Sequence, residues 1–235
     1  MKLIKHFDFS NIDQLNRNEW TVAVGKKWSN NEVQEYVDDE EHLYFDKDNG
    51  LTIKATYKNN QVKSTRIHTK DKFYFKHGKI DIIAKVPSGK GTWPALWMMP
   101  QEARYGGWPR SGEIDIMEHV GNEPNKIYTC IHTEAYNHRL DEQYYKVYFG
   151  KNIPDQFHKY SLLWEENKIT YFLNDEIITT YQRGEEGKDT SHKGWPFNED
   201  FYLIINLAIG GTLGGEVDYT CFPQTFCVKD IKIYQ

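Results

Sequence analysis

Hydrophobic and polar residues alternate with a period of two through most of this chain. After the turn residues Asp48-Asn49-Gly50, Leu51, Ile53 and Ala55 alternate with Thr52, Lys54 and Thr56. Between Lys79 and Val86, the residues Ile80, Ile82, Ala84 and Val86 fall on one face. Successive side chains leave a strand on opposite faces, so both patterns predict half-buried strands. Asn174-Asp175 separates two further runs, 168–173 and 176–181, and is the kind of two-residue loop that closes a tight hairpin. The run Phe201 to Leu207 is almost continuously apolar and predicts a central strand in which Asn206 must find hydrogen bonds. Residues 7–20 read as an entry loop and short turn. No long window has a helical period. The expectation is an all-β sandwich of two antiparallel sheets, with helices at most as short turns. A sandwich of 235 residues fits one domain, 1–235.

One stretch breaks the alternation in an informative way. In Glu113-Ile114-Asp115-Ile116-Met117-Glu118 the first two acids share a face, but the third comes one residue late. An extra residue in a strand is a β-bulge, which re-aims the side chain beyond it and often lies beside an active site. With a bulge near Met117, all three carboxylates point into one cleft. Crowded acids gain nothing on a solvated strand face, whereas a nucleophile paired with a proton donor needs them close.

This spacing resembles the E-x-D-x-x-E signature of glycoside hydrolase family 16, the laminarinase-like β-jelly rolls. Other pieces fit the same family in order: Asn31 to Tyr36, Ser64 to Ile67, Gly91 to Met98, Phe157 to Tyr160, Asn206 to Gly211 and the closing Ile233 to Gln235. The resemblance implies a jelly-roll sandwich with an open concave substrate cleft. It also implies a retaining endo-acting hydrolase with Glu113 as nucleophile, Glu118 as general acid/base and Asp115 between them tuning both. The residues alone do not say which glutamate does which. Retention needs two carboxyl groups about 5 Å apart, a spacing that one bulged strand can supply. The bulged version of the motif points to broad laminarinases cutting β-1,3 and sometimes β-1,3-1,4 glucan. Relatives with the same bulge cut internal β-galactosidic bonds in agar-like galactans or mucin-type poly-N-acetyllactosamine, which stands as the alternative. An inactive carbohydrate-binding jelly roll is the second alternative, disfavoured by the presence of all three acids.

The same resemblance marks substrate-binding candidates. Asn31 lies in a polar segment implied to sit at the cleft rim; otherwise it makes ordinary turn bonds. Arg66, in the middle of the strand-like run 64–67, is placed in the cleft, and a half-buried arginine wants a carboxylate or a sugar hydroxyl as partner. Trp93, Trp97 and Trp108 flank the acids; one could be core and the others stack on sugar. His132 follows on the next strand and is implied to face the sugar. Glu134, Tyr136, Asn137 and His138 are read as a loop at one end of the cleft, and 106–109 as a loop folded over it.

Composition narrows the remaining classes. Aromatics make up 15% of the chain, with seven Trp and sixteen Tyr, more than a core needs and suited to stacking on sugar rings. The net charge of -5 and the lack of a basic block argue against a nucleic-acid partner. No apolar run reaches membrane-spanning length. The start, Met1 to His6, has no signal-peptide pattern, so the expected setting, secreted, periplasmic or cell-surface, would require a leader not in this chain. Cys130, Cys221 and Cys227 form no framework; Cys221 and Cys227 pair or remain thiols. No cofactor is expected, and the expected partner of a monomeric chain is a polysaccharide. Relatives often hold a structural calcium on the convex face near a glycine like Gly50. Lys229 replaces the aspartate used there, so no metal is expected by that route.

Overall fold

The structure, a computed structural model, describes all residues except 141–143, 186 and 189. The described residues form two packed sheets of ten and eight strands. Pairing is antiparallel nearly throughout, with one parallel pair between Glu35–Tyr36 and Gln61–Ser64. Helical structure among the described residues is confined to the single turn Gly211–Gly214 and three short 3-10 segments. None of these is long and apolar enough to cross a membrane.

The predicted alternation becomes the core between the sheets. Leu51, Ile53, Ala55, Ile80, Ile82 and Ala84 are buried from the ten-stranded sheet. Opposite them lie Leu96, Met98, Ile114, Ile131, Leu203, Ile205 and Leu207 of the eight-stranded sheet. The apolar run at 201–207 is part of the strand Phe201–Ile209, whose other face carries Asn206 and Ala208 into a cavity. Both faces are covered, so a plain alternation is not required of it.

Two parts of the chain differ from expectation. Phe7 and Asp8, expected to open an entry loop, instead end the strand Leu3–Asp8, which pairs with Gln224–Tyr234. Phe7, Phe9 and Trp20 then close one end of the core. The run 64–67 is two strands: Gln61–Ser64 belongs to the ten-stranded sheet and Arg66–His68 to the eight-stranded one. Thr65, where the chain changes sheets, is fully buried and gives its hydroxyl to the Val37 carbonyl, while Ser64 gives its hydroxyl to the Leu207 carbonyl. These bonds satisfy polar groups that a continuous ladder would otherwise pair.

Gly50 opens the strand Gly50–Lys58 with φ +73°, pressed so closely on the last strand that a Cβ would sit 2.6 Å from the Val228 carbonyl oxygen. Lys229 beside it places its ammonium 4.8 Å over the Phe157 ring, and Lys85 lies 5.1 Å over the same ring while donating to Asn49 Oδ1. Two ammonium groups in this corner make a donor set that does not fit a calcium ion, whose sites are built from oxygens.

Candidate active site

Four adjacent strands of the eight-stranded sheet, Glu113–Glu118, Thr92–Pro100, Phe201–Ile209 and Arg66–His68, form the floor of a cavity of about 340 Å³, while His132, expected to face the sugar, is buried behind the acids and does not line it. The strand Thr92–Pro100 sends Leu96 and Met98 to the core and Trp93, Ala95, Trp97 and Met99 to the cavity. The acid strand does the same with Ile114 inward and Glu113, Asp115 and Glu118 outward.

The bulge lies at Ile116-Met117. Against Thr92–Pro100, Trp97 pairs with Asp115 and Leu96 with Met117, so one residue is extra. Against Lys126–His132, Asp115 pairs with Cys130 and Glu118 with Tyr128, with the same irregularity between. Ile116 and Met117 are both buried, which returns Glu118 to the face of Glu113 and Asp115.

Of the three tryptophans Trp93 is buried, packed with Val120 and Ala208, while Trp97 and Trp108 are half-buried; Trp20, Trp164 and Trp195 lie in the main core. Each of the three lines the cavity and donates its indole N–H. Trp108 donates to Glu113 Oε2 at 2.5 Å, Trp93 to Glu118 Oε1 at 2.9 Å and Trp97 to Asn206 Oδ1 at 2.7 Å. The Asn206 amide in turn donates to the Tyr36 hydroxyl at 3.0 Å, which gives this buried polar residue the partners it needs. His132 Nε2 lies 3.4 Å from Asp115 Oδ2 and 3.9 Å from Glu113 Oε1.

Burial sets the protonation of the acids. The Glu118 carboxyl is pushed up to about 8, first by burial and then by the Asp115 charge, with His132 and the Trp93 bond opposing. Asp115 is raised well above the usual carboxylate range by burial and by the adjoining Glu113, with which it shares a hydrogen bond. Like charges in so dry a site cannot all persist, so protons are kept.

Arg66 lines the cavity, stacked between Trp28 and Trp97 with its guanidinium carbon 5.0 and 4.7 Å from their rings. Of the two partners expected for it, a carboxylate or a sugar hydroxyl, a carboxylate is present among the described residues only as Glu32, whose carboxyl is raised by burial with the Arg66 charge opposing from a distance, and the Arg66 Nε is buried without a hydrogen-bond partner. Two indole faces supply the stabilisation instead. Asn31 does not reach the cavity: it is exposed, and its neighbours Asn30 and Glu32 line the wall. Asn30 and Asn31 both have φ near +60°, a left-handed turn that agrees with the loop reading of Asn31 and aims its side chain away from the cavity.

Of the loop after His132, His138 reaches the cavity, while Asn137 is buried and donates to the Thr133 and Glu134 carbonyls, and Glu134 pairs with Lys193. Sequence reasoning missed Trp28, Glu32 and Arg139. Glu32 lies inside the polar segment singled out at Asn31 to Tyr36 without being named itself, Trp28 precedes that segment, and Arg139 follows His138, so each was one to three residues from a recognised position. Cys221 and Cys227 are free thiols.

The sequence profile described as Glycosyl hydrolases family 16 matches residues 25–218. The chain belongs to this family. A family 16 assignment makes it a glycoside hydrolase with the jelly-roll sandwich just described. A beta-glucanase of Rhodothermus marinus is 34% identical over 97% of this chain and 82% of its own length. The crystal structure of a laminarinase from Flavobacterium sp. UMI-01 superposes with a TM-score of 0.90 at 36% identity over the whole of both chains. A keratan-sulfate endo-1,4-beta-galactosidase of Sphingobacterium multivorum is 36% identical over 70% of this chain but 38% of its own length.

Proposed function

We propose that residues 1–235 form one catalytic domain, a retaining endo-β-1,3-glucanase that also accepts β-1,3-1,4 glucan, acting on polymer outside the cell. The observation that carries the chemistry is the pair of indole-held glutamates on one bulged strand, one of them buried enough to stay protonated near neutral pH. Glu113, oriented by Trp108, attacks the anomeric carbon. Glu118 gives its proton to the leaving glycosidic oxygen, and the bond breaks to leave a glycosyl ester on Glu113. Glu118 then takes a proton from water as that water attacks the ester, which releases sugar with its original anomeric configuration. Asp115 shares a proton with Glu113 and so moderates the negative charge beside the nucleophile. Trp97, Trp28 and Arg66 form an aromatic wall suited to sugar rings.

Two measurements test this. Glu113→Gln and Glu118→Gln should each lower turnover on the natural polymer by at least about a hundredfold with an unchanged fold by circular dichroism. Product mass analysis on laminarin, barley glucan, agarose and a mucin O-glycan preparation should give oligosaccharides from the first two. Release from agarose or mucin alone would move the enzyme to galactans. Ordinary activity in either variant would defeat the catalytic assignment.

A further inference from the structure

The sheet register places a second group of donors directly beside the acids. Asp115 lies opposite Cys130 and Glu113 opposite His132 on the neighbouring strand. Cys130 and His132, two residues apart, share a face of that strand. His132 Nε2 is 3.4 Å from Cys130 Sγ and 3.4 Å from Asp115 Oδ2. One donor atom from each of Asp115, Cys130 and His132 lies within 4.8 Å of the others, and all three residues are buried.

Ligands around a tetrahedral zinc, at about 2.0 Å for nitrogen and oxygen and about 2.3 Å for sulfur, stand roughly 3.3–3.6 Å apart. The two separations from His132 fall in that range. Asp115 Oδ2, on a residue only 3% exposed, has no hydrogen-bond partner although it faces the His132 nitrogen. Buried polar atoms are nearly always paired, so an orphan in a mixed nitrogen, sulfur and oxygen set points to a ligand. The same donor set excludes magnesium and calcium, which take oxygens, and favours zinc-like cations.

We propose that Asp115, Cys130 and His132 form an inhibitory site for a thiophilic divalent cation of the zinc and cadmium class. The cation enters from the cleft, which Asp115 lines; the Cys130 thiol releases its proton to solvent as the metal–sulfur bond forms, and the proton that Asp115 shares with Glu113 stays on Glu113 as the Asp115 carboxylate binds. Coordination removes Asp115 from Glu113, and the added positive charge beside the nucleophile weakens its attack. Inhibition therefore rests on the catalytic roles given above, whereas binding does not.

The test starts from protein dialysed against EDTA and titrated with cobalt(II), then zinc(II). Wild type should develop a thiolate-to-cobalt charge-transfer band that zinc abolishes, and zinc should inhibit laminarin hydrolysis reversibly on adding EDTA. Cys130→Ser should lose the band and need on the order of tenfold or more zinc for half-inhibition, with metal-free activity within about twofold. Cys130→Ala serves the same purpose if the serine variant fails to fold. The band persisting in the Cys130 variant, which keeps the thiols of Cys221 and Cys227, would overturn the site, as would unchanged half-inhibition. Should the protein prove inactive on glucans, the cobalt band still decides the site while the functional reading falls.

Discussion

Glu118 links protonation to activity most directly. Its carboxyl, raised from the ordinary 4.5 to about 8, is protonated and able to donate below that pH. The alkaline limb of kcat/KM should therefore fall as pH rises through about 8. The Trp93 indole favours the ionised form, so Trp93→Phe should move that limb to higher pH, measurable from the pH–rate profile. The same shift links to stability. A raised carboxyl contributes fully below the unfolded value of 4.5 and loses its contribution as pH climbs through about 8. Tm should fall across that window, and Glu118→Gln should flatten the dependence by on the order of a few kcal/mol. Arg66 gives a different test. Its stabilisation comes from stacking between two indoles, which a lysine cannot reproduce, so Arg66→Lys should raise KM on laminarin severalfold with little change in kcat. The acids and the three cleft tryptophans were legible because their types and spacing carry chemistry. Trp28 was not, because its approach to Arg66 depends on how Arg66–His68 lies in the eight-stranded sheet.

Among elements, the bulged strand decides the most. Ile116 and Met117 both point inward where a regular strand would send one out, and both neighbouring strands register the slip. Met117→Ala should destabilise the fold by about 2–5 kcal/mol, seen as a lowered denaturation midpoint. The sequence announced this bulge through a late acid. It did not announce the change of sheet at Thr65, since Ser64 and Ile67 read alike whether the ladder continues or breaks. Nor did it mark Leu3–Asp8, where Leu3, Ile4 and Lys5 are not buried and the alternation that identifies a strand is weak. At Asn30-Asn31 the resemblance named the right segment but not the right residue, because two left-handed residues bring Asn30 and Glu32 to the cavity and leave Asn31 exposed.

At the scale of the molecule, the two sheets divide the work. The eight-stranded one carries the acids, and the ten-stranded one carries the corner at Gly50 and Lys229. With Lys85 and Lys229 over Phe157, adding EGTA or calcium should leave Tm unchanged within measurement error in differential scanning calorimetry. A stabilisation on adding calcium would show that those ammonium groups can move aside. The first and last strands are partners in one ladder, and Lys2 and Gln235 exchange backbone hydrogen bonds. The chain therefore behaves geometrically as a near-closed ring. Joining its ends with a few residues and opening it at the exposed Asn59-Asn60 turn should yield a circular permutant that folds and keeps the acid strand in place. Order along the chain is then incidental to this catalyst; adjacency in the sheet is what it requires.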